Sequence, residues 1–396
     1  MPKLHIKTRA IHAGEAPDPV TRASSPNIVM SSTFVAETDA SFSIEGNDES
    51  APFLYSRWSN PTVMQLEKKL ADLEGADACV AFASGMGAIA GIFLHCLQAG
   101  DHLVMSDIAY AGAAELTNDL IPRLGVQVSK VDMSDLTAVR EAIRPETKLV
   151  YIETPCNPIM RLTDIAAVVK ICKDTGTKLA IDSTFASPIA TRPIEMGADF
   201  VIHSLTKYIG GHGDALGGAI LGSATEMAAL RQQISIHAGG IISPFNAWLI
   251  MRGAATLPIR MKAHEEAALN VAAFLESHPA VTQVMYPGLP SHPQHALAKR
   301  QMQNFSGMLS FQTKNGPAVA KALAEKLQII HYAVSLGHHR SLVFYLASES
   351  MFETSFHLSK PQEAAYKRFA GEGIFRLSIG LEDADDLCAD LDQALS

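Results

Sequence analysis

His203-Ser204-Leu205-Thr206-Lys207-Tyr208-Ile209-Gly210-Gly211-His212 places one lysine behind two hydroxyl residues, directly after the apolar run Ala198-Asp199-Phe200-Val201-Ile202. A lysine so placed can hold an aldehyde while Ser204 and Thr206 hold a phosphate. Pyridoxal phosphate carries both groups on one ring, and a lysine amine joined to it as a Schiff base is this cofactor's usual protein anchor. Alone, the stretch also reads as a surface lysine after a strand, because Ser/Thr-x-x-Lys spacings are common and Gly210-Gly211 suits an ordinary turn. Residues elsewhere decide between the two.

Asp182 closes the strand-like run Lys178-Leu179-Ala180-Ile181-Asp182, twenty-five residues before Lys207. A carboxylate there would face the pyridine nitrogen and keep it protonated, which makes the ring an electron sink. As a lone residue it would pass for a helix cap or turn former. Ser84-Gly85-Met86-Gly87 follows the short apolar run Ala78 to Ala83 and opens the helical run from Ala88 to Leu94. Its glycines allow the backbone to approach a phosphate, and the amides and positive dipole end of the new helix bind the anion. Gly85-x-Gly87-x-x-Ala90 also matches the dinucleotide fingerprint, with Asp107 near the distance expected of a ribose acid. A nicotinamide-dependent dehydrogenase is therefore the rival at this point.

From about Glu67 to Ala224, apolar runs alternate with helical patterns as in a parallel sheet flanked by helices. Expected strands are Cys79 to Ala83, His102 to Met105, Val126 to Val131, Leu149 to Ile152, Leu179 to Asp182, Phe200 to His203 and Gly218 to Leu221. The glycine loop, Asp182 and Lys207 all fall at carboxyl ends of these runs, where an open α/β sheet binds ligands. Ile259 to Leu275 reads as a long helix, followed by strands at Val281 to Tyr286, Gly307 to Thr313 and Phe375 to Ile379, with a helix at Ala318 to Leu327. Three segments are expected: an N-terminal arm (1–58), a cofactor-binding α/β domain (59–256) with a large parallel-type sheet covered by helices on both faces, and a smaller α+β C-terminal domain (257–396).

Seven ordered blocks carry a wider resemblance: Tyr55-Ser56-Arg57-Trp58-Ser59-Asn60-Pro61-Thr62, Ala83-Ser84-Gly85-Met86-Gly87-Ala88, Ile152-Glu153-Thr154-Pro155-Cys156-Asn157-Pro158, Asp182-Ser183-Thr184-Phe185-Ala186-Ser187-Pro188, Ser204-Leu205-Thr206-Lys207-Tyr208, Val334-Ser335-Leu336-Gly337 and Phe375-Arg376-Leu377-Ser378-Ile379-Gly380. The chain resembles the cysteine and methionine metabolism family of pyridoxal-phosphate enzymes nearly end to end, which implies the aminotransferase-like fold (fold type I). The resemblance makes Lys207 the Schiff-base lysine, Asp182 the partner of the pyridine nitrogen and Tyr110 the residue stacked on the ring. Asn157 would bond the cofactor's phenolic oxygen, and Gly85, Met86, Ser204 and Thr206 would hold its phosphate. Arg376 and Ser335, beside Asn157, would take the substrate carboxylate; a guanidinium fork suits that planar group. Tyr55 and Arg57 would reach the phosphate of a neighbouring subunit, so the resemblance implies at least a homodimer with shared sites, and a homotetramer is expected.

The same resemblance implies that Lys207, released from the cofactor by an incoming amino acid, acts as the base that removes its α-proton. Tyr110 would protonate a departing thiolate. The expected reaction is γ-elimination of cystathionine to cysteine, 2-oxobutanoate and ammonia. Alternatives are a methionine γ-lyase, a cystathionine β-lyase and a cystathionine γ-synthase or O-acylhomoserine sulfhydrylase. Tyr110-Ala111-Gly112-Ala113 lacks the cysteine typical of methionine γ-lyases, whereas Val334, where cystathionine γ-lyases often carry glutamate, points the other way. His338-His339-Arg340 departs from the family pattern, and Arg340 is a candidate partner for a second substrate charge.

At 396 residues the chain is long enough for two main domains. Its 47% hydrophobic and 18% charged composition supplies a large core. A net charge of −9 with no basic run argues against a nucleic-acid partner. Met1-Pro2-Lys3-Leu4-His5-Ile6-Lys7 opens no signal-like apolar region and no run reaches the length of a membrane span, so a cytoplasmic protein without a membrane partner is expected. Cys79, Cys96, Cys156, Cys172 and Cys388 are scattered without a CxxC pair, as befits reduced thiols. Cys156, between Pro155 and Pro158, reads as structural. Fifteen histidines show no ligand spacing, and no metal is expected.

Overall fold

A computed structural model describes residues 4–38 and 52–396. The N-terminal arm expected over 1–58 therefore lies partly outside the described residues. The chain divides into two compact units, Met1–Cys96 with Arg192–Pro258, and Leu97–Thr191 with Ile259–Ser396. Its strands form sheets of seven and five. In chain order they are β1 (Ala78–Phe82), β2 (His102–Ser106), β3 (Gln127–Val131), β4 (Thr147–Glu153), β5 (Lys178–Asp182), β6 (Phe200–Ser204), β7 (Gly218–Gly222), β8 (Val281–Met285), β9 (Met308–Thr313), β10 (His331–Tyr332), β11 (Leu342–Ala347) and β12 (Gly373–Ser378).

In the first unit β7 lies between β1 and β6 and runs antiparallel to both, with Gly222 opposite Ala78 on one side and Phe200 on the other. This departs from the parallel pattern expected of the sequence. A short apolar run buried on both faces looks the same in either direction, so its hydrophobicity reports burial and not polarity. Helix α1 (Ile6–His12) and helix α2 (Pro61–Glu74) pack together, α2 also covers β1, and α3 (Gly85–Cys96) covers β6 and β7. The start of α2 is written locally: Asn60 Oδ1 accepts the amides of Thr62 at 3.0 Å and Val63 at 3.4 Å, and Pro61 loses no hydrogen bond at the first helical position. Gly75 ends it at a positive φ of 79°.

Two buried polar contacts fasten this unit. Lys69, fully buried on α2, donates to the carbonyls of Ala10 at 2.6 Å and Ile11 at 3.2 Å and pairs with Glu15 at 2.9 Å. His203 of β6 meets Glu74 of α2 at 2.9 Å, both fully inside, and burial raises the Glu74 carboxyl above its usual range.

In the second unit β3, β2, β4 and β5 pair in parallel in that order, and β4 and β5 end in register at Glu153 and Asp182. The five-stranded sheet runs β10, β11, β12, β9, β8. The expected helix over Ile259 to Leu275 is present within Leu257–Ser277, and its Ala268, Val271, Ala272 and Leu275 enter a core with Phe311, Phe375, Leu377 and Leu391. Phe311 and Phe375 stack across β9 and β12 at 4.9 Å between ring centroids. Each such large side chain contributes roughly 1.5–3 kcal/mol by leaving water.

Candidate cofactor and substrate site

In the first unit Ser84 caps α3. Its Oγ accepts the Gly87 amide at 3.0 Å and its carbonyl accepts Ala88 at 3.2 Å. The amides of Gly85 and Met86 precede that first helical bond, and the loop is only half-buried. The glycines have a reason that the sequence reading did not give. A Cβ on Gly85 would lie 2.9 Å from the Cβ of Ser204, and one on Gly218 would lie 2.1 Å from the Ser84 carbonyl oxygen. Close approach of the loop to β6 and β7 requires them. Ser204 ends β6 opposite Gly218, and half-buried Lys207 follows in a turn closed by Lys207 N to the Ser204 carbonyl at 3.2 Å and Gly211 N to the Lys207 carbonyl at 2.7 Å. The Thr206 hydroxyl accepts the Gly217 amide at 3.1 Å and donates to its carbonyl at 3.3 Å. To serve an anion it must turn its proton away from that carbonyl.

Tyr55 and Arg57 are both exposed, with the guanidinium 5.3 Å from the tyrosine ring centroid and Arg57 Nη1 donating to the Ile236 carbonyl at 2.8 Å. That contact steers the arginine head along the surface of its own unit.

In the second unit Tyr110 begins helix α4 (Ala111–Asn118), its side chain well exposed beside Ala111 and Gly112. Asp182 is buried at the end of β5, where Oδ1 accepts the Thr184 amide at 3.0 Å and Oδ2 accepts the Tyr151 hydroxyl at 3.2 Å. Asn157 is buried between cis bonds Thr154-Pro155 and Asn157-Pro158. Arg376, half-buried on β12, donates to Asn157 Oδ1 at 3.2 Å and to the Ser335 carbonyl at 3.4 Å. Partial desolvation lowers its pKa, and its hydrogen bonds among the described residues go to neutral oxygens. The structure thus places Arg376 in contact with Asn157 and with the backbone of Ser335.

Glu153 received no role from the sequence. Its buried carboxylate accepts the amide of Tyr110 at 2.6 Å and that of Asn157 at 2.8 Å. Burial first, and Asp182 second, push its pKa well up. The available signal was an acidic residue directly after the apolar run Leu149 to Ile152.

The atypical His338-His339-Arg340 segment is pinned at both ends. Gly337 N donates to Ser378 Oγ at 2.9 Å, Leu381 N to the His339 carbonyl at 2.8 Å, and Ser341 bonds Glu382 through its amide at 2.8 Å and its hydroxyl at 2.9 Å. His338 Nε2 lies 3.0 Å from Ser335 Oγ, and Arg340 is exposed.

Helix α4 is held from behind. Lys130 Nζ donates to Asn118 Oδ1 at 2.5 Å and to the Phe356 carbonyl at 3.2 Å, and burial lowers its pKa to about 8. Cys156 Sγ donates to the Ile108 carbonyl at 3.1 Å inside an apolar cluster, and burial pushes its thiol well up, consistent with a structural role. Asp107, the expected ribose acid of the rival reading, is instead buried against Arg161, which also pairs with Asp132 at 2.9 Å. A carboxylate committed to a buried guanidinium does not present itself to a ribose. Among the described residues no group of three or more histidine, cysteine and acidic side chains gathers as a metal site, and no helix is long and apolar enough to cross a membrane.

Residues 7–396 match the family model described as Cys/Met metabolism PLP-dependent enzyme. The chain belongs to that family. It is 41% identical to the cystathionine gamma-synthase of Mycobacterium tuberculosis, covering 98% of this chain and 96% of that one. It is equally 41% identical to the cystathionine beta-lyase of Coxiella burnetii, over 99% and 98%. The crystal structure of cystathionine gamma-lyase from Lactobacillus plantarum complexed with L-serine superposes with a TM-score of 0.88 at 36% identity, covering 99% of this chain and 98% of that one. The enzyme depends on pyridoxal phosphate and has the fold type I architecture. Residues of each unit fit the cofactor: in the first, the Gly85 and Met86 amides ahead of the first helical bond beside Ser204, and a half-buried lysine; in the second, a buried carboxylate held by its hydrogen bonds.

Proposed function

We propose that this enzyme cleaves a carbon–sulfur bond by γ-elimination, converting cystathionine and water to cysteine, 2-oxobutanoate and ammonia. When bound, pyridoxal phosphate supplies an electron sink next to the substrate α-carbon. Lys207 anchors the cofactor and afterwards moves the α-proton on its Nζ. The Asp182 carboxylate holds the proton of the ring nitrogen, and Asn157 bonds the phenolic oxygen. Gly85, Met86, Ser204 and Thr206 hold the phosphate, with Tyr55 and Arg57 serving a neighbouring subunit's site in a homodimer or homotetramer. The exposed Tyr110 ring would stack on the cofactor, and its hydroxyl would give a proton to the departing sulfur. In this reading 59–256 is the cofactor-binding domain, 257–396 the smaller α+β domain, and 1–58 the arm.

The observation that carries an amino-acid substrate is Arg376: a half-buried guanidinium hydrogen-bonded to neutral oxygens keeps its charge for a carboxylate. Gly112 beside Tyr110, and the exposed Arg340 on a pinned segment, support the longer, doubly charged substrate over methionine.

Relatives of equal similarity carry different reactions, so products must decide. Cystathionine, methionine, cysteine and O-acylhomoserine with a thiol are each supplied to the purified holoenzyme. 2-Oxobutanoate and cysteine from cystathionine are expected. Pyruvate from cystathionine indicates a β-lyase, and thioether formed from the homoserine ester without elimination indicates a synthase. Borohydride trapping followed by peptide mass analysis should place the cofactor on Lys207, and Lys207→Ala should remove both the label and turnover. Asp182→Ala should retain the label and lose turnover. Arg340→Ala should raise KM for cystathionine and leave that for methionine unchanged.

A further inference from the structure

We propose that Glu153 is a positioning residue, its single carboxylate setting the placement of both Tyr110 and Asn157. The inference rests on the roles given above to those two residues. β4 ends at Glu153, whose own amide is 3.4 Å from Ser106 Oγ at the end of β2. Beyond that point the two carboxylate oxygens divide: Oε2 accepts Tyr110 N at 2.6 Å and Oε1 accepts Asn157 N at 2.8 Å. One of these amides opens helix α4, and the other lies in the loop that presents Asn157 to Arg376. Two chain segments more than forty residues apart are thereby set against one rigid group.

The arrangement uses a carboxylate where a neutral residue would be less costly to bury. Asp182 lies opposite in the β4–β5 register, and burial opposes ionisation, while the two amides and Arg376 favour it. Each oxygen of the carboxyl group presents an acceptor lone pair to one amide. Glutamine fills the same volume but turns an N–H donor toward one of them, so it can satisfy only one. Aspartate keeps both acceptor oxygens and loses the reach of one methylene.

Hydrogen exchange resolved over peptides spanning 108–112 and 154–159 tests this directly in the full chain, with and without pyridoxal phosphate. In Glu153→Gln, exchange at one or both of the Tyr110 and Asn157 amides should rise by about tenfold, the loss of one short hydrogen bond. In the holoenzyme the visible circular dichroism per bound cofactor should fall, and kcat should drop by about a hundredfold, as expected of groups displaced by a fraction of an ångström. Asp390→Asn is the comparator, because Asp390 also accepts backbone amides, from Gln328, Ile329 and Ile330, each at 2.9 Å. That variant should lose thermal stability while keeping the visible dichroism and kcat of each folded molecule. Unchanged exchange at both Tyr110 and Asn157 in Glu153→Gln overturns the proposal, as does a Glu153→Gln variant that behaves like Asp390→Asn. Should Glu153→Gln fail to fold, Glu153→Asp carries the test: faster exchange at one of the two amides supports the role, and no change at either overturns it. Failure of the wild type to label Lys207 would count against the proposed function alone, since the exchange measurement needs no cofactor.

Discussion

Arg376 Nη1 donates to Asn157 Oδ1 at 3.2 Å, so the side chain proposed for the substrate carboxylate is steadied by the side chain proposed for the cofactor's phenolic oxygen. The two proposed roles are then energetically coupled. Arg376→Lys should lower kcat/KM for amino-acid substrates by about 10–100-fold, because an ammonium cannot reproduce the planar fork. Asn157→Ala should lower it as well. In the double variant the losses should add to less than their sum, by a coupling of about 0.5–3 kcal/mol. Additive losses would show that the arginine is oriented by other contacts.

Gly218 and Gly85 should differ in their tolerance of a methyl group. At Gly218 the added Cβ would collide with the Ser84 carbonyl oxygen at 2.1 Å, a backbone atom, while at Gly85 it meets the Ser204 side chain at 2.9 Å. Gly218→Ala should therefore destabilise the fold by about 1–3 kcal/mol or more, whereas Gly85→Ala should chiefly weaken cofactor binding. Thermal melts and cofactor titrations on both variants separate the two outcomes.

Arg57 and Lys207 should complement across subunits. Arg57→Ala and Lys207→Ala chains, each inactive, are unfolded together and refolded; a mixed dimer then contains one site with both residues intact. Activity should return toward the fraction of sites so formed. Absence of recovery in demonstrated mixed dimers would place Arg57 in the service of its own chain.

Lys130 should make stability rise with pH. Its folded pKa, about 8, lies below the ordinary 10.5, so between these values the unfolded chain binds more protons and unfolding becomes harder as pH increases. Below pH 8 the buried ammonium must be carried by Asn118 and the Phe356 carbonyl. Relative to Lys130→Met, the wild type should gain on the order of 1–3 kcal/mol between pH 8 and pH 10.5. Paired denaturant titrations across that window measure the difference, and parallel curves would refute it.

Most strands of the larger sheet were legible because each is a short apolar run bounded by polar or glycine residues, whereas β3, Gln127-Val128-Ser129-Lys130-Val131, shows only alternation. The direction of β7 was not, since direction leaves no mark on a run such as Gly218-Ala219-Ile220-Leu221-Gly222. β10 has two residues, too few for a pattern, and β11 hid in the unusual stretch after Arg340. Arg376 showed itself by alternation on a strand. Asp107 misled because its partner Arg161 stands fifty-four residues away, and no local spacing encodes a long-range ion pair. Glu153 went without a role for the opposite reason: an acid closing a strand resembles a cap until the amides that it holds are seen.

The hold on Lys69 bears on how the protein would be damaged. Its ammonium has exchanged water for two backbone carbonyls near residue 10 and the carboxylate of Glu15. A proteolytic nick just beyond Glu15 would release all three partners at once and leave a charge stranded in an apolar interior, a loss of several kcal/mol from an outwardly trivial cut. The clipped molecule should melt early and aggregate while every residue of the candidate site is still in the chain, so a preparation could lose activity without any lesion in its chemistry.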